Sequence, residues 1–264
     1  MKTTIFYFSA TGNSLALARS IANEIGDTEL VPIPRVLGNH VDAGGTKLGL
    51  VFPVYAWGLP RIVADFVKQL RPRDNQYVFA IVTCGGTPGG TLNQLRKMLR
   101  KNGADLAAGF VVRANSYHPA AENNPLITFV GNLDKNPMPK PTEERLPEIT
   151  ATIKNSQPHP PETSSFAANF VGGMFYPVAL NTFQKTGQDY TVNDNCNTCR
   201  TCERVCPRKN ISMVDGKPSW QDDCEMCFAC FQWCPQKAIQ YRGLTPSDDK
   251  RRNSQVTVKE MLLR

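Results

Sequence analysis

Eight of the nine cysteines fall in two runs of identical spacing. The first is Cys196, Cys199, Cys202 and Cys206, followed by Pro207. The second is Cys224, Cys227, Cys230 and Cys234, followed by Pro235. Thiolates are soft ligands, suited to zinc, copper(I) or iron–sulfur centres. Three of them two residues apart can wrap one face of an iron–sulfide cube. A zinc site would use two pairs of ligands rather than two runs of four ending in proline. A disulfide framework belongs to short secreted chains in which cysteines are spread through the fold, not concentrated in one stretch. The spacing therefore favours two iron–sulfur centres.

A second constellation lies at the N-terminus. Residues 2–8 are β-branched and aromatic and read as a buried strand. They lead into Ser9, Ala10, Thr11, Gly12, Asn13 and Ser14, after which apolar residues recur with helical spacing to Gly26. A strand, a loop of hydroxyls and glycine, then a helix makes a phosphate cradle. Ser9, Thr11 and Ser14 offer hydroxyls, Gly12 lets the backbone approach, and the helix start supplies amides and the positive end of its dipole. Neither G-x-x-x-x-G-K nor G-x-G-x-x-G occurs there. The competing explanation is an ordinary helix cap with spare hydroxyls.

The elements that must hold these groups can be read in outline. Strands are expected at 28–33, 47–54, 76–83 and 105–113, with helices over 61–70 and from about 91 to 101. Alternating strands and helices argue for an α/β fold with a doubly wound parallel sheet of five strands. In such sheets ligands bind beyond the carboxyl ends of the strands. The loop after the third strand holds Pro53, Val54, Tyr55, Ala56, Trp57 and Gly58. The loop after the fourth holds Thr83, Cys84, Gly85, Gly86 and Gly89. His118 follows the fifth strand within reach of the same edge, although a surface histidine is the plainer reading. His40 and His159 carry no signal. A last helix is expected over 143–156.

Residues 164–183 approach the length of a membrane span. They contain Asn169, Gly172, Gly173, Pro177 and Asn181, while Phe166, Phe170 and Met174 form an i, i+4, i+8 stripe. The expectation is a segment that docks on protein through that stripe. The divisions follow: a first domain over 1–157, a linker or docking segment over 158–190, a cysteine-rich domain over 191–245, and a tail or short terminal helix over 246–264.

With 264 residues, 41% of them hydrophobic, the chain can bury a substantial core. The N-terminus lacks the pattern of a signal peptide, so a cytoplasmic protein with no membrane span is expected. The formal charge of +7 is concentrated in residues 1–157. No basic run interleaved with aromatics accompanies it, which argues against nucleic acid.

The cysteine runs resemble those of bacterial-type ferredoxins, in which C-x2-C-x2-C-x3-C-P occurs twice and holds two [4Fe–4S] clusters. That resemblance implies crossed ligation. Cys196, Cys199, Cys202 and Cys234 would hold one cluster; Cys224, Cys227, Cys230 and Cys206 would hold the other. Ser9–Ser14 resembles the FMN-phosphate loop of flavodoxins, whose second and third flavin loops would correspond to 53–58 and 83–89. Tyr55 or Trp57 would then stack on the isoalloxazine, and the glycine-rich third loop, lacking an aromatic, would leave one flavin face open. Residues 1 to about 245 together resemble the flavodoxin–ferredoxin fusion proteins of anaerobic bacteria and archaea. The cofactors so implied are FMN and two clusters, whose negative charge would offset much of the basic excess.

The implied function is electron transfer between the clusters and FMN, to or from a redox partner protein such as a ferredoxin-like donor or an acceptor oxidoreductase. The alternative is an FMN-dependent reductase of a quinone, unsaturated acid or corrinoid, with His118 as a proton donor. A redox-sensing module ranks below both, for want of a DNA-binding element. A homodimer is compatible with the sequence, as is exchange of domains within it.

Overall fold

The computed structural model describes residues 2–39, 41, 44–114, 124–246 and 252–263. His40 and His118 lie outside the described residues.

Five strands form one parallel sheet: β1 (Thr3–Tyr7), β2 (Thr28–Pro32), β3 (Lys47–Pro53), β4 (Tyr77–Cys84) and β5 (Ala108–Arg113). Their order is β2-β1-β3-β4-β5, the flavodoxin-like arrangement of a doubly wound sheet. Helices alternate with them: α1 (Asn13–Ile25), α2 (Ile33–Val36), α3 (Arg61–Gln69) and α4 (Thr91–Lys101). Then come α5 (Pro125–Leu133) and α6 (Thr142–Lys154).

The strands are apolar nearly throughout because helices cover both faces of the sheet. Along β4, Val78, Ala80 and Val82 join the core under α3 and α4, while Phe79 and Ile81 join the core under α1 and α6. The period of two in side-chain direction thus becomes two separate cores.

After α6 the chain forms one long helix, α7 (Phe166–Lys185), and a single turn of 3-10 helix. The cysteine-rich half follows, with β6 (Tyr190–Val192), α8 (Thr201–Val205), β7 (Ile211–Val214) and β8 (Lys217–Trp220). It closes with α9 (Ala229–Trp233) and β9 (Ile239–Tyr241). Here β6 pairs antiparallel with β9, and β7 with β8.

A shift of 28 positions superposes one run on the other. It carries Cys196 to Cys224, α8 to α9 and β7 to β9. The backbone keeps the same correspondence. Thr198 and Met226, Arg200 and Phe228, and Lys209 and Lys237 all take φ between 49° and 58°. Non-glycine residues seldom adopt that region, so each run is bent in the same way around its thiols.

Helix α7 corrects one expectation. Phe166, Phe170 and Met174 are 86%, 66% and 59% exposed, so the large apolar stripe faces outward. The docking face is made of small residues instead, Ala168 and Gly172, with Tyr176 alongside. A Cβ on Gly172 would come within 3.0 Å of the Trp57 side chain, so the helix can lie this close only through glycine. Tyr176 Oη donates to the Leu59 carbonyl at 2.7 Å. No described helix is long and apolar enough to cross a membrane.

The C-terminal segment, expected as a tail or short helix, folds back onto the first domain. It ends in α10 (Val258–Met261), and Val256 and Met261 are buried with Ala10, Leu15, Ala16, Val205 and Trp233.

Candidate functional site

The three expected loops lie side by side, because β1, β3 and β4 are neighbours and all run the same way. Ser14 and Thr83, at the heads of the first and third loops, share a hydroxyl hydrogen bond of 3.0 Å. Val54 donates its amide to the Thr83 carbonyl at 2.9 Å. Tyr55 to Gly58 form a tight turn closed by reciprocal backbone bonds, with φ of 47° at Ala56 and 64° at Trp57. Gly89 packs so closely on the Trp57 carbonyl that no side chain fits there.

The first loop has the form of a cradle. Gly12 has φ 96° and donates its amide to Ser9 Oγ at 3.1 Å. No side chain caps α1, and no acidic residue sits in its first turn. A helix start leaves amides without helical partners, which an anion can satisfy. Thr11 Oγ accepts from Asn13 Nδ2 at 3.4 Å and keeps its own proton to donate.

Other residues of these loops are committed differently. Tyr55 packs edge-on against Phe8 at 6.0 Å between ring centroids, beside Cys224, Glu225 and Cys227. Burial and those neighbours raise its phenol well above the usual value. Trp57 lies between Gly89 and Gly172. The buried Cys84 thiol donates to the Gly86 carbonyl at 3.1 Å, and burial pushes its pKa up to about 12.

All eight cysteines of the two runs are free thiols, as is Cys84. They gather into two groups, and the fourth cysteine of each run joins the other run's group. Beyond burial, Cys202 is raised by Cys234, Cys199 and Cys196, and Cys230 by Cys227, Cys224 and Cys206.

Cys206, Cys224, Cys227 and Cys230 line one small cavity of about 20 Å³, walled by Tyr190, Ile211, Trp220, Phe228 and Ala229. Backbone amides point at sulfur in matching places: Asn210 N to Cys206 Sγ and Ala238 N to Cys234 Sγ, each at 3.3 Å. Among the described residues, Tyr190 Oη is buried in this wall without a hydrogen-bond partner. The Trp220 indole N–H is buried beside Cys230 and opposes the burial that raises that thiol. Among the described residues, no three His, Cys, Asp or Glu side chains converge on a single metal ion. The inner group of thiols lines a cavity.

The cavity half is locked to the sheet half by buried charge. Arg61, at the start of α3, donates to the Cys224 carbonyl at 3.1 Å and pairs with Asp223. Arg208 bridges Asp223 and Asp65, each at 2.9 Å. Glu225, 3% exposed, receives the Ile62 amide at 3.2 Å and so caps α3. Burial raises its pKa to about 7, against the opposing pull of Arg208 and Arg61. Trp233 Nε1 donates to the Ala10 carbonyl at 2.8 Å, which brings the second run onto the cradle loop. None of these contacts was foreseen from the sequence.

No family model matches this chain, and no curated protein matches it. Solved structures do resemble it. Rubredoxin oxygen:oxidoreductase from the anaerobe Desulfovibrio gigas is 21% identical over 59% of this chain and 35% of its own, with a TM-score of 0.39. A flavodoxin from the domain Archaea is 14% identical over 59% of this chain and 96% of its own, at 0.38. Oxidised Flavodoxin 1 from Bacillus cereus is 17% identical over 57% and 95%, at 0.34. The flavodoxin-like assignment of residues 3–113 rests on the strand order itself.

Proposed function

We propose that this chain is an electron-transfer protein that holds FMN at the ends of β1, β3 and β4 and two [4Fe–4S] clusters in its C-terminal half. The observation that carries the reading is the cavity lined by Cys206, Cys224, Cys227 and Cys230, set directly against the cradle half. Four thiols spread around a hollow suit a cube with iron at its corners better than a single ion. Amides aimed at sulfur, and an indole N–H in the wall, suit thiolates that have lost their protons to a metal. The second cluster would take Cys196, Cys199, Cys202 and Cys234 by the 28-residue repeat.

When bound, clusters pass electrons singly, and FMN can hold one or two. The chain's own residues supply the setting. Ser9–Ser14 and the start of α1 receive the phosphate. The turn at 55–58 and the glycines at 85–89 bring backbone to the flavin edge. Phe228, Phe231 and Trp233, all buried, exclude water from the inner thiols. Tyr55 stands between the flavin loops and that group. The partner would be a redox protein meeting the exposed rim at Cys199 and Arg200.

Anaerobic purification with iron, sulfide and flavin analysis tests this reading. About eight irons and one FMN per chain are expected from two four-iron clusters. Zinc in place of iron, or no flavin after reconstitution, would overturn it.

A further inference from the structure

The cradle loop has one feature that its sequence leaves incomplete. Ser9–Ser14 contains hydroxyls, a glycine and an amide side chain but no cation. The nearest downstream cation, Arg19, is paired with Glu260. A phosphate dianion there would have only dipoles to meet it.

The end of the chain alters this. Asn253 donates its backbone amide to the Thr11 carbonyl at 2.9 Å and its side-chain amide to Asn13 Oδ1 at 3.2 Å. Val256 and Asn253 press on Gly12, where a Cβ would meet theirs at 3.0 and 3.1 Å. Further on, Arg35 donates to the Leu262 carbonyl at 2.9 Å and Leu263 N donates to the Arg204 carbonyl at 2.8 Å. The segment 252–263 is therefore a strap tied to the cradle, to α2 and to α8.

Arg252 heads this strap, one residue from the Thr11 bond. Its guanidinium lies 4.7 Å from the centre of the Trp233 ring, whose indole N–H is on the Ala10 carbonyl. Among the described residues it meets this aromatic face and no carboxylate. It is half-buried, and burial lowers its pKa. A cation partly removed from water gains most from an anion placed beside it. Consecutive Cα atoms are about 3.8 Å apart, so a side chain at 252 is well within reach of a group seated on Thr11.

We propose that Arg252, carried to the cradle by the C-terminal strap, supplies the cation that the FMN phosphate meets. The inference rests on the FMN reading above. It assigns the 5′-phosphate specificity of the site to a residue about 240 positions from the loop itself.

The test uses the full chain with its clusters in place and its flavin removed. FMN and riboflavin are titrated against the parent, Arg252→Gln and Arg252→Lys, at low and high salt. The parent should prefer FMN, and Arg252→Gln should bind FMN about 10-fold more weakly, as expected for one charge-assisted bond. Riboflavin affinity should stay within about twofold, the salt dependence of FMN binding should flatten, and Arg252→Lys should fall between. Equal weakening of both flavins would make Arg252 a structural part of the strap and overturn the proposal. Unchanged FMN affinity would overturn it too. A parent that binds riboflavin as tightly as FMN would remove the cradle itself, a failure visible before any variant is made.

Discussion

The two cysteine runs share the spacing of their cysteines and closing proline but differ in their surroundings. Cys199 and its neighbours 197, 198 and 200 are exposed, whereas Cys224, Cys230 and the residues between Phe228 and Cys234 are buried. The differences between the copies follow that division. Asn195 and Asn197 in the first run correspond to Asp223 and Glu225 in the second, the acids that meet Arg61, Arg208 and the start of α3. Arg200, Glu203 and Val205 correspond to Phe228, Phe231 and Trp233. What the copies share is therefore the thiol chemistry. Where they differ, the second copy has been fitted to the sheet half along most of its length, while the first turns residues 197–200 to solvent and touches the sheet half through Val205.

The comparison breaks most sharply if the inner thiols do not matter more than the outer ones. Cys227 packs against both the sheet core and the cradle cluster. Cys227→Ala should lose half the iron and weaken FMN binding as well, because the inner group shapes the surface under Ala10 and Tyr55. Cys199→Ala should lose half the iron and leave FMN affinity unchanged. Iron content and flavin titration of the two variants decide it. Equal flavin loss in both, or in neither, would erase the distinction between inner and outer groups.

A smaller effect is expected at the lock. Arg61 is buried and 163 positions from its partner Cys224. Removing one partner of a buried charge network costs about 3–5 kcal/mol, because the remaining charges lose their compensation. Arg61→Ala should lower the denaturation midpoint and speed proteolysis between the halves. A change no larger than that of a surface substitution would mean that the halves are held together by packing alone.

The sequence disclosed one side of this organisation. Strands β3, β4 and β5 were legible because both faces are largely buried, which makes them nearly continuous apolar runs, whereas the edge strand β2 carries Thr28 and Glu29 and is only partly buried. Crossed ligation by the two runs is an expectation carried by the resemblance of their spacing, and iron analysis tests it. The lock was not legible, since Arg61 and Glu225 are ordinary charged residues until the fold joins them. A signal was nevertheless present: aligning the two runs exposes Asp223 and Glu225 as charges gained in one copy only. The strap escaped because its apolar residues, Val256, Val258 and Met261, are few and set among charges.

Thr11→Ala carries the comparison to the cradle. It should weaken FMN by about 1–3 kcal/mol, one charge-assisted hydrogen bond, with iron content unchanged. Ser14→Ala is the less informative choice, because Ser14 Oγ is already bonded to Thr83. Calorimetric titration with FMN measures the loss. FMN affinity equal to the parent's would place the phosphate elsewhere.

The smallest effect belongs to α7. Large apolar side chains at i, i+4 and i+8 ordinarily mark the face a helix buries, and Phe166, Phe170 and Met174 fit that rule by type. The fold reverses it because Trp57 leaves no room for a side chain at Gly172, while Tyr176 fits over Gly58, and Phe166 and Phe170 are turned outward. Phe170→Asp should therefore change stability by no more than about 0.5 kcal/mol, as surface substitutions do. Gly172→Val would force new atoms against the Trp57 side chain, and overpacking costs about 1–3 kcal/mol. Denaturant melts of the two variants rank the faces directly. If Phe170→Asp proved the more damaging, the outward stripe would be a buried surface in solution, and the helix would dock through the face its sequence first suggests.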